Sequence, residues 1–243
     1  MPGFPVFSKD NSGKRRKLPL TTNRAALVGE FLLGRNIATS RVNSAGAGAN
    51  GSEVLVGNPI APVYGDHQLE LGNGAMLDTA VPATDAMTCL VACTGDVSSA
   101  QVFLGASVAA SGRLNLLTGG ASVVATLGNS NLALPGALSG PAADFRVLVA
   151  RLGGTAAGSP AAIDEYRAGV RVQGAKTTLA GALVRQDYTR VIGGSSTIGA
   201  GAGYPVRNRF ASYLHWSAYL SDADVLAAYL ELRAVLAQMG KAI

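Results

Sequence analysis

Cross-links, metal ligands and polar chemistry are all in short supply in this chain of 243 residues, which has two cysteines, two histidines, one tryptophan and only 14% charged residues. Cys89 and Cys93 lie on one face of the stretch AMTCLVACTG. At ~3.3 Å per residue of strand, their Cα atoms stand roughly 13 Å apart. A disulfide needs them within about 7 Å, so two buried thiols are expected. No histidine or further cysteine lies close enough to complete a zinc-type ligand set. His67 and His215 are far apart and lack a serine or cysteine in triad context, so nucleophilic catalysis has no footing. No apolar run reaches the ~18 residues of a membrane span, and no membrane contact is expected. The opening MPGFPVFSKDNSGKRRKLPL lacks the apolar core of a secretory signal, so synthesis in a cytoplasm is expected.

What the chain does have is apolar bulk and glycine. Hydrophobic residues make up 48%, enough for a sizeable core. The 31 glycines follow no Gly-x-y period, which excludes collagen and favours a loop-rich β protein. Charge is uneven. Residues 1–50 carry Lys9, Lys14, Arg15, Arg16, Lys17, Arg24, Arg35 and Arg41 against Asp10 and Glu30, whereas the rest holds 12 basic and 13 acidic residues. That is a basic arm on a near-neutral body rather than a basic nucleic-acid-binding domain. Residues 1–50 are therefore expected to form an extended anchoring segment, with Lys14, Arg15, Arg16 and Lys17 as its charged centre. Within it, RAALVGEFLLGRNI (24–37) is either a short helix or a strand, with Leu27, Phe31 and Leu32 as an apolar patch. NSAGAGANGSE (43–53) has linker composition and suggests a boundary between 40 and 62, with the main domain at 51–243.

Beyond that boundary, strand signals recur at short intervals: 67–80 with an Asn-Gly turn, 86–95, 100–108, 112–119, 122–128, 144–154, 165–178 with a tight turn at Gly174, and 189–196. No repeat of 20–50 residues accompanies them, and their spacing predicts about twelve strands in two stacked antiparallel sheets. FASYLHWSAYLSDADVLAAYLELRAVLAQM (210–239) switches from strand to helix period. Phe210, Leu214, Trp216, Ala218 and Leu220 share one predicted strand face, and Tyr213, His215 and Tyr219 the other. Ser221 suits an N-cap, Asp222 and Asp224 suit the positive end of a helix dipole, and Leu220 with Val225 form a hydrophobic staple. Val225, Tyr229, Leu232 and Leu236, widened by Leu226 and Leu230, give helix 221–239 an apolar stripe. It is expected to cover an edge or open end of the sandwich.

GNGAMLDTAVPATDAMTCLVACTG, then DFRVLVARLGG followed by YRAGVRVQGAKTT, and finally RVIGGSS with RFASYLHWSAYLSDADVLAAYLELR resemble, in order and spacing, the concanavalin A-like (laminin G-like) domains over about residues 67–240. The resemblance implies an all-β, two-sheet antiparallel jelly-roll sandwich with a C-terminal capping helix. A turn reads Gln173-Gly174 where many members have Asn-Gly. Calcium-binding members cluster Asp, Asn and Glu on rim loops; no Asp-x-Asp run occurs here, and no cofactor or metal is expected. Catalytic members carry closely spaced carboxylates on one strand. Here Asp164 and Glu165 are adjacent and would face opposite sides, so no catalytic residue is assigned.

Domains of this kind on a short arm are similar to those of bacteriophage tail fibres, spikes and other virion appendages. The resemblance thus implies a non-enzymatic virion structural protein, made in the host cytoplasm. Its arm would contact other virion proteins, and its lectin-like domain would recognise a host-surface glycan or brace subunits as a homo-oligomer, for which a trimer would suit a fibre. A bacterial carbohydrate-binding or adhesion module is the alternative, with a polysaccharide-degrading enzyme behind it. Candidate binding residues are Tyr166, and Tyr204 with Arg207 and Asn208, in or beside the two longest loops, where recognition usually resides. Tyr213 and His215 are included as an aromatic row with polar tips, which is either a contact surface or interior. Trp216 reads as core packing, with sugar stacking as its other use.

Overall fold

A computed structural model describes residues 20–45, 49–56, 59–72, 74–95, 97–98, 100–107, 114–118, 121–127, 130–184, 187–194 and 206–243. Lys14, Arg15, Arg16, Lys17 and Tyr204 lie outside them. In chain order the strands are β1 (Leu27–Leu32), β2 (Ser52–Leu55), β3 (Val63–Gly65), β4 (Gln68–Gly72), β5 (Ala75–Pro82), β6 (Met87–Cys93), β7 (Val102–Ala106) and β8 (Leu114–Thr118). They continue as β9 (Val123–Leu127), β10 (Ser130–Ala133), β11 (Arg146–Leu152), β12 (Pro160–Arg167), β13 (Val170–Thr178), β14 (Thr189–Ile192) and β15 (Arg207–Trp216). A short helix α1 (Ile37–Ser40) follows β1, and α2 (Asp222–Gln238) closes the chain.

The hydrogen-bonded path runs β10-β9-β8-β7-β14-β5-β4-β15-β6-β11-β12-β13, antiparallel throughout. It doubles back where β4 and β5 meet through the single pair Gly72–Ala75. The two arms of the path then face each other as layers. Between them lies one core, with Leu77, Leu104, Leu116 and Ile192 from one layer meeting Cys89, Val91, Leu148 and Ile163 from the other. The expected all-β antiparallel sandwich with a C-terminal helix is thus observed.

The division at residue 50 is not. β1 pairs with β15 and buries Phe31 completely, and β2, which begins inside the predicted linker, pairs with β5. Leu27, Phe31 and Leu33 pack as core residues, so the centre of 24–37 is the strand β1, and the described residues 20–45 and 49–55 belong to the body. Leu20 is buried, and Thr21 donates from its backbone N–H to Glu231 on α2 (3.0 Å).

Three further expectations shift. The stretch 165–178 is a hairpin rather than one strand: Arg167 pairs with Val170 around Ala168 (φ 52) and Gly169 (φ 89). Both left-handed positions suit a two-residue turn whose twist matches the strands. Gly174 is no turn; it pairs with Asp164, and a Cβ there would lie 2.3 Å from Asp164 Oδ1 and 2.1 Å from Arg171 Nη2. Glycine at that position leaves room for an ion pair. On β15, the register passes from Phe210–Cys93 to Ser212–Ala92, leaving Ala211 as a bulge. The extra residue turns Phe210 into the inter-layer core while Leu214 and Trp216 face α2, so these three do not share a face.

The helix begins as its sequence predicts. Ser221 Oγ accepts from Asp224 N (3.1 Å), and Leu220 and Val225 are both buried. It covers not an edge but the outer face of a layer. Val225, Tyr229, Leu232 and Leu236 pack on Leu90, Ala92, Val147, Val149, Tyr166, Leu214 and Trp216 as a second core. At about 100° per residue, Leu226 and Leu230 sit roughly 100° and 140° from Val225, and they are exposed. Ala228 and Val235 widen the buried stripe on the other side. Leu232→Ala is therefore expected to cost ~2–5 kcal/mol, and Leu226→Ala ~0.5 kcal/mol or less. Urea unfolding of both variants checks this, and equal losses would contradict the docked face described here.

Candidate functional site

At one rim of the sandwich, the segment after β6, the loop before β11 and the start of β15 enclose an open cleft of about 320 Å³. It is lined by Thr94, Gly95, Ser98, Gln101, Ala142, Ala143, Val206, Arg207 and Asn208. Backbone bonds hold its walls. Thr94 N donates to Arg209 O (2.9 Å), Arg209 N donates to Thr94 Oγ1 (3.0 Å), and Gly95 N donates to Ala142 O (2.9 Å). Gln101 N donates to Thr118 Oγ1 (2.8 Å), tying the wall to β8. Gly95 has φ +137, and a Cβ there would stand 2.5 Å from Gln101 Oε1 and 2.9 Å from Asn208 Oδ1. Glycine thus allows two nearly buried amides to crowd against the cleft floor. Arg207 adds a guanidinium, oriented by the carbonyls of Ala61 (2.8 Å) and Glu70 (3.0 Å). Amides, hydroxyls and one guanidinium on a rigid rim suit recognition of a hydroxyl-rich ligand.

Of the residues singled out from the sequence, Arg207 and Asn208 meet here. Among the described residues, Tyr166, Tyr213, His215 and Trp216 do not join them. Tyr166 is not a loop residue: it is buried on β12, 5.0 Å from the ring of Tyr229 beneath α2. Tyr213 and His215 are fully buried between the layers, which removes them as surface candidates. The cause is that β15 is covered on both faces. Trp216 is core, donating Nε1–H to Thr22 O (3.3 Å). Thr94, Gly95, Ser98 and Gln101 were not singled out, although the polar break CTGDVSSAQ between two apolar strands marks their position.

The ionisable groups near the cores are committed elsewhere. Arg151, buried on β11, donates to Asp164 (2.6 Å), Asp222 (2.7 Å) and the Leu220 carbonyl (3.0 Å), while Arg171 also pairs with Asp164 (2.5 Å). Lys176 and then Arg151 hold the Asp222 carboxyl down at about 2. Glu165 faces the other side, accepting from Ser139 N (2.9 Å) and Gln173 Nε2 (2.6 Å) with Arg146 at 3.7 Å. The adjacent carboxylates thus do face opposite ways, each bound to its own cations and amides. Both cysteines are buried thiols; burial pushes Cys93 up to about 12 and raises Cys89. Among the described residues no three His, Cys, Asp or Glu side chains cluster as metal ligands, and no helix is long and apolar enough to cross a membrane.

Comparison with solved structures adds the wider setting. The receptor-binding domain of botulinum neurotoxin mosaic serotype C/D matches with TM-score 0.56 and 9% identity, over 85% of this chain and 51% of that one. The binding domain of botulinum neurotoxin DC in complex with SialylT matches with TM-score 0.55 and 10% identity, over 86% and 52%. The same values describe a structure concerned with cell entry of botulinum neurotoxin type C through two ganglioside molecules. The likeness is one of fold. The chain spans about half the length of these toxin domains. No family model and no curated protein matches the sequence.

His215 generates a prediction about acid. Burial first, and the Arg190 charge second, push its pKa down to about 3 from an ordinary 6.5. The unfolded chain takes up this proton at higher pH than the folded one, so acid favours unfolding. The stability present above about pH 6.5 is lost as pH falls toward about 3. Between pH 7 and 4, unfolding free energies of the native chain are expected to fall by on the order of 3 kcal/mol more than those of His215→Gln. Parallel curves would show that the imidazole is not held neutral.

Proposed function

We propose that this protein is a non-enzymatic, lectin-like recognition module that takes a glycan in the rim cleft, and that it serves as part of a bacteriophage virion appendage. The single observation behind recognition is the cleft itself. Asn208, Gln101, Thr94, Ser98 and Arg207 converge on about 320 Å³ of open space beside Gly95, on loops anchored to a two-core body. Such donors and acceptors match the hydroxyl pattern of a sugar, and loops on a rigid scaffold are where binding concentrates. Binding rather than turnover is favoured because Asp164 and Glu165 are neutralised on opposite faces of β12, away from any shared substrate position. That the matched toxin structures are receptor-binding domains, some solved for glycan or ganglioside recognition, agrees with this reading at the level of fold. The virion assignment rests on the sequence resemblance and on the basic run Lys14–Lys17, which would contact other virion proteins.

Two experiments test the two halves. On a glycan array, the purified chain is expected to bind a defined subset, with no product released from bound polysaccharide. Asn208→Ala should weaken that binding roughly 2–10-fold, the worth of one or two hydrogen bonds. Binding untouched by changes at Asn208 and Arg207 would remove the cleft from the proposal. For the virion half, a chain beginning at residue 20 keeps β1 and is expected to fold but to fail to enter particles. Normal incorporation would reject the anchoring role of residues 1–19.

A further inference from the structure

The glycan reading above leaves the chemical class of the sugar open, and the charges at one lip of the cleft bear on it. Arg209, next on β15 after Asn208, donates from Nη2 to the carbonyl of Ala143 in the cleft wall (2.7 Å). Its guanidinium carbon lies 5.7 Å from the centroid of the Phe145 ring, and Lys241 Nζ lies 5.7 Å from the same centroid. Lys241 is fixed by the turn that ends α2. Gly240 has φ 72, Lys241 N donates to Leu236 O (2.9 Å), and Nζ donates to Gln68 Oε1 (2.9 Å). Several other cations have carboxylates: Arg207 has Glu70, Arg167 has Asp144, Arg171 has Asp164 and Lys176 has Asp222. Among the described residues Arg209 and Lys241 have none. The aromatic ring they share offsets only part of two full charges, as does the partial negative end of α2. Two cations gathered on one ring, beside a polar cleft and without a counter-ion, form a half-site for an anion.

We propose that the cleft takes an acidic saccharide, whose hydroxyls meet Thr94, Ser98 and Asn208 and whose carboxylate or sulfate meets Arg209 and Lys241. This rests on the recognition reading and narrows its ligand class. The test is an array in which each uronic-acid or sulfated glycan is printed beside a neutral counterpart of the same backbone, probed with the full chain. The acidic members are expected to bind about tenfold or more tightly, with the advantage shrinking as salt is raised. In the double variant Arg209→Gln, Lys241→Gln the preference should fall to parity, and Arg209→Lys should retain much of it, which separates lost charge from lost folding. Thermal unfolding of each variant confirms that the body is intact. The uronic and sulfated arms report which anion is preferred. Equal binding of acidic and neutral partners by the native chain, or a preference that survives in the folded double variant, would overturn the acidic assignment while leaving glycan recognition standing. Binding to no glycan of either kind would overturn the recognition reading itself.

Discussion

The layer containing β15, β6, β11 and β12 is buried on both faces, and the rest of the molecule follows from that constraint. Every residue of β6 and of β11 is buried. One face meets the opposing layer and the other meets α2. Sheets with one wet face alternate apolar and polar residues, whereas a doubly covered strand reads as a continuous apolar run. A helix of seventeen residues gains little from propensity alone, because most helical stability in proteins comes from packing an apolar face. Burying Val225, Tyr229, Leu232 and Leu236 at ~1.5–3 kcal/mol each, as an upper bound, outweighs that weakness. The sheet therefore holds the helix, and the helix keeps the sheet dry.

A doubly buried layer cannot leave an arginine unpaired, yet it contains several. Arg151 is neutralised by Asp164 within the layer and by Asp222 at the first turn of α2. One guanidinium thus ties the start of the helix to the strands beneath it. Arg190, in the opposing layer, is fully buried and has no carboxylate partner among the described residues; it donates to Leu114 O (2.6 Å) and lies 4.9 Å over the Tyr188 ring. Buried ion pairs seldom add net stability over apolar packing, because desolvation costs nearly as much as attraction returns. Their contribution here is to position. Arg151 sets where α2 begins, and Gly174 exists because Asp164 and Arg171 occupy the space a side chain would need.

Much of this architecture was legible in the residues. Short strands between glycine and serine breaks, the Ser221 cap and the stripe from Val225 to Leu236 all depend on local chemistry, and all are present. What misled was non-local. Nothing in the alternation of 210–220 announces that Ala211 bulges, since a bulge is decided by the partner strand. Nothing around Tyr213 and His215 says that β15 has covers on both faces, so an aromatic row with polar tips resembled a surface. The linker-like composition of 43–53 hid the start of a strand that pairs with β5, twenty or more residues away. At the cleft, Arg207 and Asn208 were legible because they follow a long glycine-rich stretch of sequence. Gly95 and Gln101 were not, because their part depends on a close approach between segments distant in sequence.

The same constraint explains where recognition can reside. With one face of the β15 layer given to the opposing layer and the other to α2, its side chains are spent on packing, and polar groups are free to meet a ligand only where strands end. The rim is such a place: Thr94 and Gly95 follow the last residue of β6, and Arg207 and Asn208 open β15. Their backbones are locked to one another by the Thr94–Arg209 pair of hydrogen bonds, so the side chains are presented from a fixed frame. A frame anchored by two cores tolerates changes in the residues it displays, since an exposed side chain such as that of Ser98 belongs to neither core. Distant relatives in shape, at 9–10% identity, can therefore share the body while differing in what they bind. For this chain, the chemistry of the rim has to be read from its own side chains.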